Sequence, residues 1–294
     1  HAAIAAVTSR QDEPVADLHP SLLGRLDLRC EPFDPDRLKA KGVRVAFGCL
    51  PHGTSMASIP PLLDRGIRVV DLSADYRLRD AKAYQEWYKE PHHDPANLAL
   101  AVYGLPEVYG EAITAAKLVA NPGCYPQTAI LGLAPLVANR LIELSGIIID
   151  SKSGVSGAGR TPKLTTHFPE CNESVSAYSV GSHRHTPEIE QALADIAGQP
   201  VSVVFTPHLM PMDRGILSTI YATPTRPVTE PELNALYREY FAGKPFVRVR
   251  ATPPATKDTA HTNFLDVCGK VVRGKVLVIA AEDNLVRGAS GVAV

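Results

Sequence analysis

The segment KLVANPGCYP (residues 117–126) places a short apolar strand, a turn and a helix start in immediate succession. Lys117 to Ala120 reads as a buried strand, Asn121-Pro122-Gly123 as the turn, and Cys124 to Asn139 as a helix with Ala, Leu and Ile on its buried side. Pro126 fits the first helical turn, where a missing N–H costs nothing. The same grammar recurs upstream. Val43 to Leu50 is an apolar run that ends in Pro51-His52-Gly53. Thr54 to Asp64 has helical spacing and stops at Gly66, and Ile67 to Leu72 is a further apolar run. Ile4 to Val7 reads as another buried strand. Strands alternating with helices predict βαβ units around a parallel sheet, an α/β fold class.

The pattern changes after residue 123. Ile147 to Lys152 is a strand that leads into SGVSGAGR (Ser153 to Arg160). Thr186-Pro187 predicts an N-cap and first helical position for a helix over 187–197. Val201 to Pro207 and Gly215 to Thr223 are β-rich and are expected to pair with each other. Thr229 and Glu232 form a capping-box pattern for a helix over 230–242. Phe246 to Arg250, Asn263 to Val272 and Lys275 to Ala281 follow, the last two flanking the hairpin signal Arg273-Gly274. This half is expected to be α+β with antiparallel pairing.

Composition narrows the function classes. The 294 residues carry 30 Lys+Arg and 31 Asp+Glu, a net charge of −1, so no field draws the chain to nucleic acid or anionic lipid. No apolar run reaches the ~18 residues of a membrane span. The five cysteines are odd in number and form no C-x-x-C pair, and no signal peptide opens the sequence. Both features predict a reducing, cytoplasmic setting. The sequence opens without Met and closes on what reads as the start of a helix, so further segments are expected at both ends.

Cys124 is the strongest candidate for chemistry. Helix N-terminal amides and the macrodipole favour a thiolate there, whereas the other four cysteines read as buried small hydrophobes. A thiolate nucleophile needs a proton partner. His183 and His185 in SHRHT (182–186) supply two, and His208 in TPHL (206–209) a third. Arg160 and Lys163 beside the glycine-rich 153–160 stretch, and Arg77 after a buried strand, are candidate anion ligands. His52 after a strand suits either a cofactor-facing loop or a surface turn, and His92-His93 reads as solvated. No His/Cys spacing speaks for a metal.

With NPGCYP in place, the chain resembles the N-acetyl-gamma-glutamyl-phosphate reductase family, relatives of aspartate-semialdehyde dehydrogenase. Further blocks carry the likeness in order: VTSR (7–10), LPHG (50–53), DLSADYRL (71–78), VYGLPE (102–107), KSGVSGAGR (152–160), HFPE (167–170), GSHRHTPEIEQ (181–191), FTPHLMPM (205–212), RGIL (214–217) and DNLVRGA (283–289). The resemblance implies a Rossmann-type NADP domain over 1–123, rejoined by 285–294. It also implies an α+β catalytic domain over 124–284 like that of glyceraldehyde-3-phosphate dehydrogenase, and a homodimer or homotetramer. It implies NADPH-dependent reduction of an acyl phosphate to an aldehyde in arginine biosynthesis, through a thioester on Cys124.

The resemblance also implies residue roles. His183 is the first choice of acid/base, with His185 close behind. Arg77, Arg160 and His185 would hold substrate anions. Ser9 and Arg10 would meet a 2′-phosphate, favouring NADP over NAD. Pro51, Ser156, Gly157 and Asn284 would touch the cofactor. Two departures stand out. The family's glycine-rich turn, about 25 residues before VTSR, lies outside this sequence, as does the usual tail. Gln127 replaces the Thr that usually follows Pro126. Competing readings are a relative acting on amino-adipyl or aspartyl phosphate, a cysteine hydrolase or acyltransferase, and a non-catalytic fragment.

Overall fold

A computed structural model describes residues 2–294. Thirteen strands fall into three sheets. β1 (Val7–Thr8) and β2 (Cys30–Glu31) make a two-stranded parallel sheet. β3 (Val45–Gly48), β4 (Arg68–Asp71), β5 (Val102–Tyr103) and β6 (Leu118–Ala120) form a wholly parallel sheet in the order β3-β4-β6-β5. The helix Ser55–Asp64 returns the chain from β3 to β4, burying Met56, Ile59 and Leu62 beside Ile67 and Val69. Parallel pairing requires such crossovers, which the apolar spacing of residues 54–64 had predicted.

The larger sheet comes from the second half. β7 (Ile147–Gly154), β8 (Ser176–Ala177), β9 (Val203–Met210), β10 (Ile216–Ala222), β11 (Val247–Val249), β12 (Leu265–Val272) and β13 (Lys275–Glu282) run in the order β11-β12-β13-β10-β7-β9-β8. The helices Cys124–Ala138, His185–Ala197 and Glu230–Tyr240 supply the apolar side chains that cover one face of it. The first is buried nearly all round, as an apolar helix between a sheet and other helices must be. The opposite face is open. Ile148, Val204 and Tyr221 lie side by side on it, 45%, 58% and 40% exposed.

Several sequence expectations need correction. Strand β1 starts at Val7, and Ile4 is exposed. Strand β3 is not buried: it bonds only β4, and Val45 and Phe47 are 45% and 48% exposed. β9 and β10 do not pair with each other, because β7 lies between them, parallel to β9 and antiparallel to β10. The sheet is therefore mixed, with β11 and β12 also parallel. The helix expected at 187 begins at His185, so Thr186 lies inside its first turn and caps nothing. Thr229 Oγ1 does accept the Glu232 amide, but the Glu232 carboxylate turns to Arg226 at 2.6 Å, leaving half a capping box. The hairpin at Arg273-Gly274 is as expected, with φ of 49° and 76°, the left-handed pair of a type I′ turn. Cys49 is exposed and Cys171 half-buried, while Cys30 and Cys268 are buried. His92 is bonded on both ring nitrogens rather than solvated, to Asp75 O at 2.8 Å and from Asp94 N at 3.1 Å.

Residues Val286–Gly291 form a wide π-helical turn instead of an α-helical start. Its Arg287 is buried, and Nη2 meets Glu107 Oε2 at 2.7 Å. Glu107 sits in the first turn of the helix Pro106–Ala115. One buried ion pair thus fastens the end of the chain to a helix of the first half. Removing one partner strands the other charge away from water. Arg287→Ala should lower the unfolding free energy by about 3–5 kcal/mol, measured by urea denaturation. A loss below about 1 kcal/mol, the value of an exposed pair, would show that the pair does not hold the segment.

Candidate active site

Parallel strands deliver their following loops to one edge of a sheet. At the carboxyl edge of the β3-β4-β6-β5 sheet these are Pro51–Gly53 after β3, Leu72–Asp75 after β4 and Asn121–Cys124 after β6. Asp75 ties the first loop down. Its carboxylate accepts the Gly53 amide at 2.7 Å and the Ser55 amide at 3.2 Å. Cys124 is the first residue of its helix, with Gly123 as N-cap in extended conformation (φ −67°, ψ 160°).

The start of the helix His185–Ala197 lies against this junction. The His185 imidazole packs onto Gly123 so closely that a Cβ there would overlap Nε2, so position 123 must lack a side chain. The His185 amide donates to His183 Nδ1 at 3.1 Å, which leaves the His183 proton on Nε2. The two rings are 4.7 Å apart, and both pack edge-on to Tyr125, the residue after Cys124. His185 Nδ1 is buried without a partner. Arg184 between them bridges outward, with Nη1 3.1 Å from His52 Nε2 and its guanidinium 4.8 Å above the Tyr88 ring.

Glu188 completes the cluster, and the sequence reading had passed over it. Its carboxylate is buried and accepts the Gly123 amide at 2.7 Å and the Tyr103 hydroxyl at 2.6 Å, while Arg77 Nη1 stands 3.5 Å away. The available signal was spacing: Glu188 follows His185 by three positions, and so shares its helix face. Arg77 also donates to Asn121 O at 2.8 Å and Leu72 O at 3.1 Å. It therefore braces the turn before Cys124.

Burial sets the protonation states. It pushes the Cys124 thiol up to about 12, reinforced by the Glu282 carboxyl, against the lowering influence of the Tyr125 amide and Arg77. These influences oppose the ionised thiol anticipated from the helix start, at a Cys124 that is half-buried. Burial, then the Arg184 charge, brings His183 down to about 4. Burial, then His183 and Arg77, hold His185 well below the ordinary imidazole range. The thiol and both imidazoles are therefore pushed toward their neutral forms.

The remaining candidates divide. Ser156, Gly157 and Asn284 converge. Asn284 Nδ2 donates to Ser156 Oγ at 3.1 Å, Asn284 Oδ1 accepts the Gly215 amide at 2.7 Å, and Gly157 lies against the same side chain. Ser9 stands at the end of β1, where its Oγ accepts the Gln11 amide at 3.2 Å. Arg10 beside it is exposed. Pro51 is exposed after β3. Arg160 is exposed and forms no ion pair among the described residues. His208 belongs to another cluster, 3.1 Å from Asp150. No group of His, Cys, Asp and Glu among the described residues could hold a metal.

Comparison with known proteins fits this geometry. A family model described as the semialdehyde dehydrogenase NAD binding domain matches residues 1–116, and one for the dimerisation domain matches 124–284. A reductase of Geobacter sulfurreducens named N-acetyl-gamma-glutamyl-phosphate reductase is 52% identical over 300 residues, covering 99% of this chain and 86% of that protein. A protein of the same name from Rhodopirellula baltica is 49% identical over 298 residues, with the same coverage. The chain belongs to the N-acetyl-gamma-glutamyl-phosphate reductase family. The fold extends further than the family. Aspartate semialdehyde dehydrogenase II of Vibrio cholerae superposes with a TM-score of 0.68 at 16% identity, over 91% of this chain and 82% of that one. The family is enzymatic and oxidoreductive, and its NAD binding domain marks the chain for a nicotinamide cofactor.

The depressed imidazoles predict a pH dependence of stability. The unfolded chain takes up protons below the ordinary value of 6.5, while the native site refuses them until about 4 for His183 and until well below the ordinary imidazole range for His185. The stabilisation is therefore complete above pH 6.5 and is lost as the pH falls through the folded values. Each imidazole should contribute a slope of up to about 1.4 kcal/mol per pH unit in that window. Urea unfolding between pH 7 and 4.5 measures it. The His183→Asn/His185→Asn double variant should give a flatter profile, and an unchanged slope would contradict the assignment.

Proposed function

We propose that this chain reduces N-acetyl-glutamyl 5-phosphate to N-acetyl-glutamate 5-semialdehyde, releasing phosphate, as a step of arginine biosynthesis. The single observation that carries this reading is the convergence of Cys124, the His183–His185 pair and Glu188 at the carboxyl edge of a parallel sheet. The likeness to reductases named for this substrate supports the choice of acyl phosphate.

Cys124 acts as nucleophile. Its sulfur attacks the acyl carbon, the carbon–oxygen bond to phosphate breaks, and a thioester remains on the side chain. An imidazole of the His183–His185 pair takes the thiol proton, with His183 our choice of acid/base, and returns it on the way to the aldehyde. Arg77, Arg160 and His185 are the proposed substrate-anion ligands. Arg160 is exposed and so free to meet an anion. Glu188 positions Gly123, and through it the sulfur.

The residues present fit a nicotinamide cofactor. The loops of the parallel sheet end beside Cys124, and Asn121 Oδ1 is buried there without a partner. Pro51, Ser156, Gly157 and Asn284 would line the nicotinamide end, and Ser9 and Arg10 would meet a 2′-phosphate, making it NADP. When bound, the cofactor supplies the hydride. The glycine-rich turn expected for its pyrophosphate is not within residues 1–294.

We further assign residues 1–123 with 285–294 to the cofactor domain and 124–284 to the catalytic domain. Two copies would associate through the open face at Ile148, Val204 and Tyr221, where apolar side chains meet water. We place the enzyme in the cytoplasm. No helix among the described residues is long and apolar enough to cross a membrane.

Cys124→Ser should abolish phosphate-dependent NADP⁺ reduction by the semialdehyde while the fold survives, as read by absorbance and circular dichroism. Mass spectrometry of quenched wild-type turnover should show an acyl adduct on the Cys124 peptide, and near-normal turnover of the variant would reject the mechanism. Arg10→Ala should weaken NADPH about tenfold or more and NADH little, since one charge-assisted contact to phosphate is worth ~1.5–3 kcal/mol. Equal losses for both cofactors would remove Arg10 from the 2′-phosphate site.

A further inference from the structure

Glu282 is the last residue of β13 and is fully buried. Both of its carboxyl oxygens lack a hydrogen-bond partner. A Cβ built on Gly288 would stand 2.8 Å from Cys124 Cβ and 2.8 Å from Glu282 Oε1. The two side chains therefore meet across one glycine, no further apart than twice that distance. Other nearby acids are satisfied: Glu188 by three donors, Asp283 by the His261, Leu285 and Val286 amides, and Glu107 by Arg287. Glu282 alone presents an unpartnered carboxyl to the sulfur.

We propose that Glu282 and Cys124 form a coupled acid pair that holds one negative charge at a time, so that Glu282 is a positioning residue that admits the thiolate only while its own carboxyl is protonated. This rests on the reading of Cys124 as the nucleophile. The proton balance is simple. The S–H proton passes to the His183–His185 pair, while the carboxyl keeps its proton and can turn its O–H toward the new anion.

The surrounding charges agree. Burial pushes Glu282 well above the carboxylate range. Arg287 opposes this, and Asp283 from its own segment and Glu107 from the helix Pro106–Ala115 add to it. Cys124 faces Glu282, Arg77 and Glu188. Arg287 spends its Nη2 on Glu107, and its charge acts on Glu282 without a hydrogen bond or ion pair between them. Two like charges at this separation in a water-poor site cannot both form readily, and the pair titrates in two steps.

The test is alkylation of Cys124 by iodoacetamide from about pH 6 to 10, read on the Cys124 peptide by mass spectrometry in the wild type and in Glu282→Gln. In the wild type the rate should rise with pH and then flatten where Glu282 ionises. The Gln variant keeps the shape and a donor but cannot ionise. It should match the wild type below that break and exceed it by about tenfold or more above it, one pH unit of thiol acidity being tenfold. Superimposable profiles, or a slower variant, would overturn the proposal. If the variant does not fold, the wild type decides. Its infrared spectrum at pH 7 should contain a protonated-carboxyl band that shifts when Cys124 is alkylated, and a spectrum in which no such band moves overturns it. Neither readout needs turnover, so the pair can fail while Cys124 still forms an acyl adduct, and the reverse.

Discussion

One buried carboxylate organises the site. Glu188 sits where water cannot reach it, and a charge so placed must be met by donors from the protein. It collects the Gly123 amide, the Tyr103 hydroxyl and Arg77, from three separate stretches of chain. The need to satisfy that charge pins the helix carrying His183 and His185 on its approach to the mouth of the helix carrying Cys124. Cys124 on one element and the imidazoles on another stay registered because the third element, Arg77 after β4, closes the same network onto Asn121 O and Leu72 O.

Partial burial bears on which of the neighbouring groups are charged, Cys124, His183 and His185 each being half-buried. Helix N-termini favour anions by about 0.3–1 kcal/mol, and at best ~2 kcal/mol. Raising a thiol from 9.0 to about 12 corresponds to roughly 4 kcal/mol. The desolvation figure is the larger, so burial favours the neutral thiol at Cys124. The imidazoles beside it are depressed for the same reason, so thiol and acceptor are neutral together. Separating charge between them then creates an ion pair inside a low-dielectric site, where mutual attraction is strong. Both shifts oppose moving the thiol proton to an imidazole, and the attraction between the charges so formed has to offset them.

Much of this was legible in residues alone, and what was not has a physical reason. The turn Asn121–Gly123 and the helix start at Cys124 follow from local chemistry, as do the βαβ crossover over residues 55–64 and the hairpin at Arg273-Gly274. The order of the large sheet was not legible. β9 and β10 look like a pair because they are neighbours in sequence, but β7 lies between them, and non-local pairing leaves no mark in either segment. The exposure of β3 was hidden too. Val45 and Phe47 read as core by composition, and only the sheet order shows that one edge of their strand is bare. His183 and His185 could be picked by type, whereas Glu188 and Glu282 resemble ordinary surface acids until packing removes their water.

Those two glutamates show how one residue type takes opposite roles within a single site. Glu188 has three donors, so its ionised form is stabilised and it acts as a fixed anion that holds geometry. Glu282 has none, and its one nearby cation is already engaged by Glu107. Its neutral form is favoured, and it becomes a group whose charge competes with that of the sulfur. Coordination, not proximity to the nucleophile, separates a structural anion from a titrating neighbour. A site that must generate a thiolate in turn needs the first kind on the side that positions the backbone and the second kind, kept protonated, on the side that faces the sulfur.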